Sequence, residues 1–227
     1  MKAILLLLAL GAATGVAQAQ VHGLPASSDY SEGGSTTSRN SGFGIKGGLS
    51  YSDLQGSGTS VFTNRDQLKT FHVGVYGQHG FTHFASVQVE LLYARKGFKA
   101  YADSLKNQLT TQLNYLEVPV LFVGNITETL SFHIGPQVSL LTGARGGGDP
   151  LDLSQYGYRR FDFGGIVGAE ARLGPARLGV RYDLSLANLY KNGSSVYYNG
   201  QPLGTLLTDP NIRNAVLQVY LGIGIAH

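Results

Sequence analysis

The sequence predicts an all-β fold, an eight-stranded antiparallel barrel, on three observations. Apolar and polar residues alternate with period two from Gly42 almost to the C-terminus, as side chains do on the two faces of a strand. The connections between the alternating segments are long and short in turn. The 227 residues include 32 glycines and only 14% charged residues, whereas a soluble domain has roughly 25% charged residues. Regular alternation with so little charge indicates that one face of the barrel meets lipid.

Each alternating segment has one apolar face and one polar or glycine-rich face. In the first segment Phe43, Ile45 and Leu49 share a face, opposite Lys46 and Ser50. Tilted strands of about ten residues cross the hydrocarbon layer, and closure of the sheet pairs every backbone group in lipid. We therefore predict eight transmembrane strands, within residues 42–51, 70–78, 85–96, 115–122, 130–140, 160–172, 177–186 and 215–225.

The connections between the predicted strands follow the rhythm of outer-membrane barrels, which turn tightly on the periplasmic side and carry long loops outside. The short turns are residues 80–83, 125–128 and 174–175. An even number of strands then places both ends of the barrel in the periplasm. Loops on a rigid scaffold often carry function, so we expect contacts with other proteins on the four long loops, residues 53–69, 99–111, 143–157 and 188–211. The last loop includes Tyr190, Tyr197 and Tyr198, which we expect to act as aromatic anchors for such contacts.

The N-terminal region reads as a secretory signal peptide followed by a linker. Lys2 precedes a short apolar stretch from Ala3 to Ala13, and Ala17-Gln18-Ala19 forms a small-x-small cleavage site. Residues 1–19 are therefore predicted to be removed, which leaves Gln20 as the first residue. Residues 20–41 are rich in serine, glycine and threonine and are expected to form a flexible leader, and residues 42–227 the barrel domain.

Two prolines lie within predicted strands. Pro119 falls in the fourth strand and Pro136 in the fifth, and each removes a donor from the hydrogen-bond ladder. A closed barrel has no edge strand on which to place them, so we expect a bulge or a local distortion at these positions.

Several sequence blocks are similar to one known family. They are Gly42–Ser50, Val89–Phe98, Tyr115–Phe122, Gly135-Pro136, Phe161–Gly164 and Arg181–Tyr190. In order and spacing they resemble the PorT-type outer-membrane β-barrels of Bacteroidota, over residues 42–227. The resemblance implies an integral outer-membrane barrel in which Pro119 is an expected feature. One member of the family is linked to secretion and gliding machinery. We therefore expect outer-membrane lipid, and envelope or secretion-machinery proteins, as partners.

The polar faces of the strands predict a network of salt bridges in the lumen. Charged residues of both signs recur at comparable depths, and buried charges must be paired. We expect Glu117 to pair with Arg181. A functional alternative is that Glu90, Glu117 and Arg181 form a proton or ion path, or a small gated pore. The inward-facing charged residues are Lys46, Glu90, Lys96, Glu117, Asp162, Glu170, Arg172, Arg177, Arg181 and Asp183.

An outer-membrane enzyme with a site at the rim is a second alternative. We expect His72 near the outer rim, and Asp53 and Ser60 lie in the first loop, but no Gly-x-Ser-x-Gly element is present. His79 and His83 lie four residues apart in a predicted turn, which is not a helical metal-ligand spacing. We predict no catalytic, cofactor or metal site. The sequence has no cysteine, which excludes thiol chemistry, and a net charge of +3 does not favour nucleic acid.

A soluble, secreted barrel that binds a small apolar ligand, of the lipocalin type, is a third alternative. Such a barrel keeps its apolar face inside and its charged residues outside. The polar faces of this sequence are rich in glycine and serine and carry too little charge for a solubilising surface. This composition favours the membrane-spanning barrel.

Overall fold

The structure is a computed structural model, which describes residues 41–61, 63–102, 107–154, 156–191, 195–198, 201–206 and 211–226. The predicted signal peptide and all but the last residue of the predicted leader lie outside the described residues. The residues that the structure describes are almost entirely in strands and turns. Among them, no helix is long and apolar enough to cross a membrane.

Twelve strands and one short 3-10 helix, Ser57–Val61, are formed by the described residues. Eight of the strands are long and four are short. The strands are β1 (Gly42–Gln55), β2 (Thr63–Asp66), β3 (Leu68–Gly80), β4 (Ala85–Ala102), β5 (Asn107–Asn125), β6 (Leu130–Gly146), β7 (Asp149–Leu151), β8 (Phe161–Leu173), β9 (Ala176–Ser185), β10 (Ser195–Tyr198), β11 (Gln201–Leu206) and β12 (Arg213–Ala226).

The eight long strands close into a barrel, which confirms the predicted fold class. Around the ring they run β1, β3, β4, β5, β6, β8, β9 and β12, and every neighbouring pair is antiparallel. The pairing of β1 with β12, with Lys46 opposite Gly222, closes the ring. The short strands extend the end that carries the long connections: β2 pairs with β4, β7 with β6, and β10 with β11. We call this the loop end and the opposite end the turn end.

The two faces of the sheet differ sharply in chemistry. Val138 is 56% exposed whereas the next residue, Ser139, is 2% exposed, since neighbouring side chains point to opposite faces. An exposed apolar band that surrounds a whole barrel far exceeds the patches that soluble monomers show and is the surface expected toward acyl chains. Every barrel strand contributes a large exposed apolar side chain to it, such as Leu49, Val73, Leu91, Val120, Ile134, Val167, Leu178 and Leu221.

The prediction of a long loop between the third and fourth predicted strands is wrong. Residues 99–111 were expected to form a long connection, but β4 continues to Ala102 and β5 begins at Asn107, with those two residues paired. Toward the loop end the inner face becomes apolar, and Phe98 and Leu113 are buried there. The contrast between a polar inside and an apolar outside is lost at this height, so alternation no longer marks the strands.

The local distortion expected at the prolines is present, as a gap in the strand pairing and not as a bulge. In β5 and β6 the pairs Pro119–Gln137 and Phe122–Ile134 belong to one unbroken register. The two residue pairs between them are missing from the ladder, so the distortion is a gap in the pairing without an inserted residue. The β5–β6 bulge lies between Asn114 and Tyr115. Pro136 belongs to one of the missing pairs, opposite Val120, and it lacks the N–H that a ladder bond requires. Pro119 lies in a similar gap of the β4–β5 ladder, between the pairs Val89–Val120 and Leu92–Glu117.

Candidate functional site

The lumen of the barrel holds the residues that the sequence singled out. All ten predicted inward-facing charged residues lie on the inner face or among its buried side chains. Five carry positive charge and five carry carboxylates, so this set is neutral when all of them are ionised. The cations are Lys46, Lys96, Arg172, Arg177 and Arg181, and the carboxylates are Glu90, Glu117, Asp162, Glu170 and Asp183.

Glu90 of β4 holds two cations from other strands at mid-height in the lumen. Its Oε1 lies 2.6 Å from the Lys46 Nζ, and its Oε2 lies 2.7 Å from an Arg181 Nη. Gln88 donates a further hydrogen bond of 2.5 Å to Oε1. Arg181 also donates through Nε to Gln218. Charge-assisted bonds of this kind are about twice as strong as neutral ones, so Glu90 ties β1, β4 and β9 together.

The aromatic ring of Tyr220 covers this cluster. The Lys46 ammonium lies 4.2 Å from the centre of the Tyr220 ring, and the Arg181 guanidinium lies 5.5 Å from it. The Tyr220 hydroxyl donates a 2.9 Å hydrogen bond to Glu170. Cations over an aromatic face gain most when they are shielded from water, so Tyr220 both stabilises the Glu90 cluster and joins it to Glu170.

Lys96 organises a second cluster, nearer the loop end. Its Nζ lies 2.7 Å from Glu117 and 2.6 Å from Asp183. The expected pairing of Glu117 with Arg181 is therefore wrong, because Arg181 is bound to Glu90. Alternation along each strand places both residues in the lumen, but the register between strands decides which charges meet. Asp183 also accepts a 3.1 Å hydrogen bond from Gln137.

Glu170 holds a third cluster near the turn end. Arg177 lies 3.4 Å away and Arg172 lies 3.6 Å away. Arg177 also donates a 2.7 Å hydrogen bond to Gln78. Asp162, the fifth carboxylate, accepts a 2.6 Å hydrogen bond from Ser185. Every predicted lumen residue therefore has a polar partner, and the side chains of the Glu90 and Lys96 clusters are almost completely shielded from solvent.

Above the charged lumen, at the loop end, lies an apolar cluster that the sequence did not predict. Tyr158 and Tyr190 stack at its centre, with their rings 5.0 Å apart. Burial raises the pKa of Tyr158 to about 12 and holds the pKa of Tyr190 well above its ordinary value, so both phenols stay neutral. The cluster consists of Leu54, Phe98, Leu113, Tyr115, Leu141, Ala144, Tyr158, Leu189, Tyr190 and Ile212.

No pattern in the sequence marks this cluster, because its members come from strand ends and loops far apart in the chain. An isolated bridge pairs Tyr158 with Tyr190, and the Leu189 N–H donates to the carbonyl of Ile212 at 2.7 Å. The expectation that Tyr190 is an aromatic anchor for protein contacts is wrong, since its side chain is buried. The backbones of Tyr197 and Tyr198, in the same predicted loop, form β10.

The residues considered for a rim enzyme do not meet in the described part of the chain. His72 is 1% exposed and lies inside the lumen, where its Nδ1 is 2.9 Å from the Ser50 hydroxyl. The expectation that it lies near the outer rim is therefore wrong. Asp53 accepts a hydrogen bond from the backbone N–H of Leu54. The side chain of Ser60 is not among those that the structure describes. Among the described residues, no group of three or more histidines or carboxylates could hold a metal ion.

The closed sheet, the apolar outer band and the charged interior define a membrane-spanning β-barrel of the outer-membrane type. The sequence comparison agrees: the profile of the family described as outer membrane protein beta-barrel domain matches residues 18–191. The chain belongs to this family. No curated protein sequence is significantly similar to it.

Solved structures with a similar fold are outer-membrane proteins. Neisserial surface protein A is 14% identical, with a TM-score of 0.49, over 81% of this chain and 97% of that one. Ail, the attachment invasion locus protein of Yersinia pestis, is 12% identical, with a TM-score of 0.47, over 82% and 99%. OprG from Pseudomonas aeruginosa is 14% identical, with a TM-score of 0.43, over 82% and 97%.

Proposed function

We propose that the protein is a non-enzymatic surface anchor: a filled barrel that holds its loop end at the cell surface as a contact site for envelope or secretion-machinery proteins. The observation that carries the proposal is the lumen, in which matched charges bind one another and an apolar cluster lies above them. Such an interior stabilises a scaffold and leaves its loops as the surface for contacts. The resemblance to PorT-type barrels supports a secretion-accessory role in particular.

A small gated pore is the alternative function on which the structure of the lumen bears most directly. Barrels of about eight strands have an interior that side chains just fill. In this barrel Glu90, Glu117 and Arg181, the residues considered for an ion path, are each in ion pairs shielded from solvent. Single-channel recording of the purified chain in a planar bilayer should therefore show no steady conductance. Reproducible conductance that changes in Glu90→Gln would favour the pore instead.

Crosslinking tests the contact role. A surface-tagged chain is crosslinked in living cells and purified, beside a deletion strain assayed for secretion and envelope integrity. We expect envelope proteins to crosslink through the loop end, and the deletion strain to lose a secreted product. Intact secretion together with an absence of crosslinked envelope proteins would contradict the secretion-accessory role.

Removal of the N-terminal segment is part of the same proposal. Residues 1–19 direct export and are cleaved after Ala19, so the mature chain begins at Gln20. The intact mass of the protein from purified outer membranes should match residues 20–227. A mass that includes residues 1–19 would contradict the cleavage. Release of the protein by carbonate washing would contradict membrane insertion and favour the soluble, ligand-binding barrel.

A further inference from the structure

A groove at the loop end combines a basic rim with apolar walls. It has a volume of about 400 Å³ and lies between the segment before β8 and the residue after Tyr190. Its apolar walls include Leu153, Tyr158 and Phe161, and its cations are Arg159, Arg160 and Lys191. All three cations are exposed. The groove therefore offers charge and apolar surface within one small volume.

Unlike the cations in the lumen, these three have no carboxylate of a described residue within ion-pair distance. Arg159 donates through Nε to the carbonyl oxygen of Tyr190 at 3.3 Å, which orients the guanidinium and leaves its terminal nitrogens available. Arginine recognises phosphate by paired, parallel hydrogen bonds. The groove is thus complementary to an anion, and to a phosphate in particular.

The backbone that carries these cations is fixed before any ligand binds. The N–H of Arg159 donates to Leu189 at 2.9 Å, and the N–H of Lys191 donates to Gly157 at 2.9 Å. These two hydrogen bonds flank the backbone bridge between Tyr158 and Tyr190, whose rings are stacked. The carbonyl of Arg160 accepts a 2.6 Å bond from Leu141 of β6. A rim held in this way loses little conformational entropy on binding.

The position of Phe161 identifies the source of the anion. Phe161 begins β8, is 72% exposed, and belongs to the outward apolar face together with Phe163. The long connections of such barrels face the exterior, so the groove opens where the outer leaflet meets water. A ligand that fills it needs an anionic head beside the cations and an acyl chain beside Phe161. We propose that the groove binds the phosphate headgroup of an anionic lipid in the outer leaflet.

Phosphatidic acid is a suitable probe, because it joins one phosphate headgroup to two acyl chains. The full chain in neutral detergent is titrated with this lipid, and bound lipid is counted by native mass spectrometry. Diacylglycerol, which lacks the phosphate, and inorganic phosphate, which lacks the acyl chains, are run beside it. We expect phosphatidic acid to bind with a defined stoichiometry and both comparison ligands to bind at least about tenfold more weakly.

The variant Arg159→Gln/Arg160→Gln/Lys191→Gln removes the basic rim and should weaken phosphatidic acid binding by at least about tenfold. The control Lys69→Gln/Lys99→Gln/Arg145→Gln makes the same change in net charge at other loop-end positions and should bind as the wild type does. Heat-modifiable migration on a gel shows that each variant is a folded barrel.

Three results would overturn the proposal. One is unchanged binding in the rim variant, and another is an equal loss in the control, which would reduce the effect to general electrostatics. The third is inorganic phosphate binding as tightly as the lipid, which would mean a free anion site. Conductance and crosslinking are separate readouts, so failure of lipid binding is distinguishable from failure of the anchor function.

Discussion

Glu90 is the carboxylate on which two buried cations depend. Lys46 and Arg181 both lie within 2.7 Å of its oxygens, on strands that are not its neighbours in sequence. A charge left without its partner inside a protein is costly, because neither water nor another ion replaces the lost contact. The stability of the lumen should therefore be unusually sensitive to single substitutions at this position.

The substitution Glu90→Gln keeps the shape of the side chain and removes its charge. We expect it to lower the free energy of unfolding by about 3–5 kcal/mol, since it leaves two buried cations uncompensated. The midpoint of heat-modifiable gel migration in detergent measures the effect. Glu128→Gln, at an exposed turn position, is the matched control and should change stability by less than about 0.5 kcal/mol. Equal midpoints for the two variants would contradict the role of Glu90.

For the Lys96 cluster we expect a different result, because one cation there forms ion pairs with two carboxylates. Glu117→Gln leaves the Lys96–Asp183 pair intact, whereas Lys96→Met leaves two buried carboxylates facing each other. We therefore expect Lys96→Met to destabilise the barrel more than Glu117→Gln does, in the same gel assay. The reverse order would mean that Glu117 acts through another partner, such as Arg181.

At the scale of the strand, glycines let large inner side chains lie against neighbouring backbones. Gly179 of β9 lies directly under the ring of Tyr220, which a β-carbon at this position would overlap. Tyr220 is also the residue that joins the Glu90 and Glu170 clusters. Glycine at 179 is therefore a requirement of the packing inside the barrel.

Gly179→Ala should displace the Tyr220 ring and lower the free energy of unfolding by about 1–3 kcal/mol, the usual cost of overpacking. The control is Gly77→Ala in β3, where an added β-carbon meets nothing within 4 Å. Thermal unfolding in detergent compares the two variants. If Gly77→Ala were as destabilising as Gly179→Ala, strand propensity would explain the effect and the Tyr220 contact would not.

The strands were predictable from the sequence wherever the two faces differ in chemistry. In β6, Ile134 and Val138 alternate with His133 and Ser139, and the period of two identifies the strand. The pattern fails near the loop end of β4, where the apolar side chain of Phe98 lies on the inner face and Arg95 and Lys99 lie on the outer face. A pattern of polar residues inside and apolar residues outside therefore identifies only the part of each strand that has a polar lumen on one side and lipid on the other.

The contents of the lumen were predictable, but the pairing within it was not. Inward positions follow from alternation alone, which places Glu117 and Arg181 in one interior. Their partners depend on the register between strands, which sets Lys96 against Glu117 and Arg181 against Glu90. The contact between Tyr158 and Tyr190 joins two loops that no periodic pattern describes. Local sequence therefore determines the faces, and three-dimensional closure determines the contacts.

At the scale of the whole molecule, the barrel has an apolar outside, a charge-balanced inside and an apolar cluster at its loop end. The low charge and the many glycines of the chain have one explanation in this arrangement. Lipid covers the outer surface and requires no charge, while a narrow interior requires slim residues beside its large ones. In this arrangement the interior is filled and inaccessible to water while the barrel spans a membrane.

Labelling of single cysteines measures the water accessibility of the interior and of the outer face, since the natural chain contains no cysteine. Val138→Cys, Ser139→Cys and Asp149→Cys place a thiol on the lipid face, in the lumen and at the loop end. In lipid nanodiscs, a water-soluble maleimide should label only the cysteine at 149, and all three after unfolding. Rapid labelling at 139 in the folded protein would show a water-filled lumen. Rapid labelling at 138 would show that the outer face is not in lipid.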